Sequence, residues 1–122
     1  MPTHKNQPFA RRLGFALAGC GAALRSEHSV KLQVAALLGV LVVLGWFRAE
    51  PVWWALIALS SGLVLAAELL NTALEHLADH LHPDIHPQIR IVKDCAAGAV
   101  LLASCAALAV GVALIIHLAG RH

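Results

Sequence analysis

The sequence predicts an all-α membrane protein, with an N-terminal amphipathic surface helix ahead of three transmembrane helices. Three observations lead there. The 122 residues are 59% hydrophobic and only 13% charged, with a mean hydropathy of +0.74; a soluble domain carries about 25% charged residues. The apolar residues gather into three long stretches without full charge. A shorter segment before them has apolar residues at helical spacing, with basic residues between. The length suits one domain, 1–122.

The elements follow in order. Phe9, Leu13, Ala16, Leu17, Cys20 and Leu24 recur at helical spacing. They mark a helix over about 8–27 that is short, basic and suited to a membrane surface. The same stripe would serve a helix packed on its own domain, and periodicity alone does not choose between the two. No cleavable signal peptide is read here, because the apolar positions are periodic rather than continuous. Residues 33–47 are uncharged and almost wholly aliphatic. With Lys31 and Arg48 at the flanks they form a first span, about 31–48. Arg48, Ala49, Glu50 and Pro51 make a polar break that ends in proline. Residues 52–67 are again uncharged, and the helix is expected to continue to Asp79, giving a second span of about 52–79. Two prolines and three histidines predict a loop over 80–88. Residues 96–118 carry no full charge and form the third span, about 90–118.

Lys5, Arg11, Arg12, Arg25 and Lys31 precede the first span, and Arg90 and Lys93 follow the second. Only Arg48 and Arg121 lie at the other ends. The positive-inside rule therefore places the N-terminus and the second connection of this multi-pass chain in the cytoplasm. Ala99, Ala103, Ala107 and Gly111 recur every four residues in the third span, as do Ala58, Gly62 and Ala66 in the second. Such faces let membrane helices approach closely, within or between chains.

Against this background Glu68, Asn71 and Glu75 stand out. Their spacing of three and four puts them on one side of the second helix, where ionisable groups at membrane depth are costly and point to function. Glu68 lies deepest. Lys93 and Asp94 open the third span, and Glu27 lies beside the basic N-terminal segment. Carboxylates with water and phosphate oxygens are how Mg²⁺ is held, and a nearby lysine suits a polyphosphate. The sequence has no P-loop, no complete Gly-rich dinucleotide fingerprint and no protein-kinase catalytic loop. A net charge of +2 is too small for a nucleic-acid footprint, so no nucleic acid is expected as a partner. Cys20, Cys95 and Cys105 are unclustered and form no disulfide framework. His76, His80, His82 and His86 could be imagined around a transition metal, but they read as solvated residues near the surface. A rival from another class is a metal-binding or ion-transporting membrane protein that uses Glu68, Glu75, His76 and His80. Lys93 and Asp94, with Glu27 far upstream, speak against a cation pathway, which has no use for the lysine.

At ELLNTALEHLAD (68–79) and VKDCAAGAVLL (92–102) the chain resembles the integral-membrane prokaryotic diacylglycerol kinase and undecaprenol kinase family. The resemblance extends to FALAGCGAALRSE, which ends on Glu27. It implies a homotrimer of three-span protomers, with active sites at the cytoplasmic face in which ATP·Mg²⁺ phosphorylates a lipid alcohol. Diacylglycerol is the first expectation and undecaprenol the alternative. By the same resemblance Glu68 is the general base on the lipid hydroxyl, and Asn71 orients the reacting groups. Glu68 and Asn71 together meet the lipid substrate. Glu27 and Glu75 bind Mg²⁺ and, through it, ATP, while Lys93 and Asp94 contact the nucleotide. Ser29 and Val30 replace an Asn and a Phe found in many relatives, and Gln33 stands near a position that is acidic in some.

Overall fold

The computed structural model describes residues 6–81, 84 and 86–121. Four helices account for nearly all of them: α1 (Phe9–Ser26), α2 (His28–Trp46), α3 (Pro51–Leu81) and α4 (Pro87–Ala119). The last three are long and apolar enough to cross a membrane. At 1.5 Å per residue, α2 is about 28 Å long, close to the hydrocarbon thickness of a bilayer, whereas α3 and α4 reach about 46 and 50 Å.

Helix α1 presents its apolar stripe to the surroundings: Phe9 is 76% exposed and Leu13, Leu17 and Leu24 are also open. Its contacts with α2 and α3 are few, and its buried residue is Ala23, near the C-terminal end. The structure thus favours a stripe free to lie on a membrane surface over one packed on its own domain. Between α1 and α2 stands a single extended residue, Glu27 (φ −104°, ψ 117°). It closes one helix by donating its N–H to the Ala23 carbonyl, and its own carbonyl accepts from the Lys31 N–H in the next.

Helices α3 and α4 form the most extensive pairing, an antiparallel hairpin, and α2 packs along α3. The α2–α3 turn is tight. The Ala49 N–H donates to the Leu44 carbonyl at 2.9 Å, and Arg48 adopts φ 51° in the left-handed region. This is the helix-ending geometry in which glycine is the usual residue. The wholly buried Leu44 packs beside this turn with Ala49, Ile57 and Leu114, and Leu41, Trp53 and Val110 pack around them.

The helix limits correct the expected loop over 80–88. His80 and Leu81 still belong to α3, and Pro87 and Gln88 already belong to α4. Proline is tolerated as the first residue of a helix, where its missing N–H has no partner to lose. The His86 ring accepts from the Gln88 N–H at 3.1 Å and caps the start. His82 lies outside the described residues.

The small-residue faces stay open within one chain. Ala58, Gly62 and Ala66 are exposed, and a methyl group at Gly62 or Gly111 would meet nothing within 4 Å. Ala99 and Ala103 line a groove of about 680 Å³ between α3 and α4. Ala107 and Gly111 line a second groove, of about 450 Å³, bounded by α2, α3 and α4.

Candidate active site

The antiparallel register of α2 and α3 puts Gln33 level with Glu68. Gln33 lies five residues into α2, so Glu68 sits roughly 8 Å deeper than the start of that helix. The Glu68 side chain belongs to a residue only 8% exposed, and among the described residues Glu68 is the charged residue that is buried. Gln33 Nε2 donates to Glu68 Oε1 at 2.9 Å across the two helices. A buried carboxylate without a donor would be strongly disfavoured, and the amide supplies one.

One turn further along α3, Asn71 Nδ2 donates to Glu75 Oε1 at 3.4 Å. The Asn71 Oδ1 atom is buried and takes no hydrogen bond among the described residues. Asn71 faces the α3–α4 groove, whereas Gln33 lines the groove on the α2 side. The expected trio of Glu68, Asn71 and Glu75 is therefore split between a buried pair toward α2 and a polar pair toward α4. Glu75 is exposed, ready for an external partner.

Lys93 is bound to Asp79 across the α3–α4 hairpin, with Nζ 2.6 Å from Oδ1. Asp94 instead faces Arg90 one turn back on its own helix, at 4.0 Å and largely exposed. Lys93 and Asp94 thus stand side by side in sequence but engage different partners. Glu27 is half-buried at the α1–α2 break. Among the described residues no group of three or more His, Cys, Asp or Glu side chains is close enough to form a metal cage. Mg²⁺ used with a nucleotide takes one or two carboxylates and completes its shell with phosphate oxygens and water, so such a site does not need three protein ligands. His76 and His80 are exposed.

Residues 14–115 match the family described as prokaryotic diacylglycerol kinase. The chain belongs to that family. The match spans every candidate from Glu27 to Asp94. Among curated relatives, the chain is 38% identical to a diacylglycerol kinase of Synechocystis over 103 residues, 84% of this chain and 59% of that protein. It is 34% identical to the undecaprenol kinase of Bacillus subtilis over 99 residues, 80% of either chain. It is 29% identical to the diacylglycerol kinase of Escherichia coli K12 over 90 residues, 74% of either chain. The chain thus spans less than two thirds of the Synechocystis relative, and both lipid alcohols occur among the names of its kin.

Two residues of the site were not among the candidates read from the sequence. Gln33 carried a weak signal, a lone amide in an aliphatic run. Asp79 lies four residues beyond Glu75 on the same side of α3, which marks it as a member of the polar stripe but does not reveal its partner.

Proposed function

We propose that the protein transfers the γ-phosphate of ATP to the hydroxyl of a membrane lipid alcohol, with diacylglycerol as the first substrate and undecaprenol as the second. Family membership supports the reaction class. The observation that carries the site is the buried Glu68, held at one oxygen, beside a more exposed set of Glu75, Asp79 and Lys93. A lipid hydroxyl reaches a protein from the bilayer, and a nucleotide reaches it from water. Glu75 follows Glu68 by seven residues, or roughly 10 Å along α3, so the two carboxylates serve the two sides.

In this reading Glu68 takes the hydroxyl proton as the lipid oxygen bonds to the γ-phosphorus, and the bond from phosphorus to the ADP oxygen breaks. Phosphoryl transfer requires mainly positioning and charge stabilisation. Lys93, turned toward the site by Asp79, supplies a point charge for phosphate. Asn71 orients the reacting groups through its buried Oδ1, which takes no hydrogen bond among the described residues. Glu75 and Glu27 are the residues that would hold Mg²⁺, which neutralises phosphate charge when bound. Asp94 is the further nucleotide contact. The basic residues before α2 and around the start of α4 support a cytoplasmic site in a bacterial inner membrane.

The uncovered Ala58, Gly62 and Ala66 face and the Ala103 and Ala107 stripe support close contact between chains, and the family resemblance supports a homotrimer. Ala107→Leu should shift the assembly toward smaller species by native mass spectrometry in detergent, and an active wild-type monomer would overturn the trimer. The function itself is tested with purified protein, ATP, Mg²⁺ and separate diacylglycerol and undecaprenol micelles, with the phosphorylated lipid measured. Product from diacylglycerol at the higher kcat/KM is expected. A higher value for undecaprenol would reverse the order of substrates, and no product from either would overturn the function.

A further inference from the structure

Gln33 is a polar side chain between α2 and α3 that serves a buried carboxylate. It stands at the head of the uncharged run of α2, two residues after Lys31, in a helix long and apolar enough to cross a membrane. Its Nε2 serves Glu68, 35 residues away, at 2.9 Å. Its own Oε1 is buried and accepts nothing from the described residues. Among the described residues it is the donor half of the amide that is used, and it is used on Glu68.

We propose that Gln33 is a positioning residue for Glu68: its amide occupies one carboxylate oxygen, Oε1, and so makes Oε2 the atom that takes the proton from the lipid hydroxyl. The inference deepens the lipid-kinase reading and rests on Glu68 as the base. The chemistry favours an amide over a charged donor. An N–H held on Oε1 turns Oε2 to a fixed direction and satisfies Oε1 both as a carboxylate oxygen and, after proton transfer, as the carbonyl oxygen of the acid. The hydroxyl O–H bond breaks and an Oε2–H bond forms. The electron pair released on the lipid oxygen makes the new bond to phosphorus, and the pair of the broken phosphorus–oxygen bond leaves with ADP. A lysine or arginine at position 33 would instead pair with Glu68 as a fixed ion pair and oppose the protonation that turnover requires.

The test is a double-mutant cycle in the full-length protein, in mixed micelles of the better lipid substrate with ATP and Mg²⁺. Gln33→Met keeps the length and volume of the side chain and removes the donor. It should lower kcat by about tenfold, the scale of a lost hydrogen bond to a charged group, and leave KM for ATP within about twofold. In a Glu68→Gln background the same change should have no further effect, because two residues that act through one atom are not additive. Gln33→His, which retains a neutral N–H donor, should recover part of the lost kcat. Gln33→Leu repeats the measurement should the methionine variant not insert. Wild-type kcat in Gln33→Met, or an equal tenfold loss in both backgrounds, overturns the positioning role. Near-normal turnover in Glu68→Gln alone overturns Glu68 as the base and this inference with it, while leaving the kinase activity standing. No lipid product from the wild type strikes the function itself.

Discussion

At the α2–α3 turn, Leu44, Ala49, Ile57 and Leu114 close a core, and the polar groups around it find partners in the same chain. Trp54 Nε1 donates to the Ala49 carbonyl at 3.3 Å, and Arg121 Nη1 donates to the Phe47 carbonyl at 2.8 Å. The His117 ring lies 5.2 Å from that of Trp53 and 3.9 Å from Glu50. At the opposite end, Gln33 Oε1 and Asn71 Oδ1 are buried without partners among the described residues, and Glu75 is exposed. One end is satisfied by its own chain. The other, besides its own pairs, keeps two buried oxygens that no described residue serves. Local rules that fail at one end of an otherwise consistent fold mark where selection has acted on chemistry rather than stability.

That contrast can be broken from either side. The largest effect belongs to Glu68→Gln, which should reduce turnover by about a hundredfold or more with little change in ATP affinity; steady-state rates and nucleotide titration on one preparation check it. Leu44→Ala, at the turn end, should instead lower stability by about 2 kcal/mol through the cavity it leaves. Its denaturation midpoint should fall while kcat of the folded fraction holds. A loss of kcat in proportion would mean that the two ends are coupled. Glu75→Gln should raise the Mg²⁺ needed for half-maximal rate by about tenfold, seen by titrating Mg²⁺ at saturating lipid, and an unchanged requirement would remove Glu75 from the metal site. The smallest change is Arg48→Gly. It relieves the φ of 51° and should stabilise the turn by about 1 kcal/mol, with no effect on turnover.

The spans and the carboxylate side of α3 were readable because both depend on one helix at a time. An uncharged run of 15 or more residues needs no partner to declare itself, and Glu68, Asn71 and Glu75 share a side by spacing alone. What escaped depends on two helices at once. The Gln33–Glu68 bond needs the register of α2 on α3, which the turn at Arg48 sets. The Asp79–Lys93 pair needs the hairpin register of α3 and α4 in the same way. The start of α4 was hidden differently: Pro87 reads as a helix breaker until its place as first residue, behind the His86 cap, is known.

The unequal helix lengths have one more consequence. Helix α2 is the short span, about 28 Å against about 46 and 50 Å for its neighbours. Hydrophobic mismatch is therefore felt first by α2, while the excess length of α3 and α4 can slide or tilt through bilayers of different thickness. The Gln33–Glu68 bond joins that short helix to α3. Tilting of α3 against α2 in a bilayer of different thickness would therefore act on this hydrogen bond, and through it on the Glu68 carboxylate.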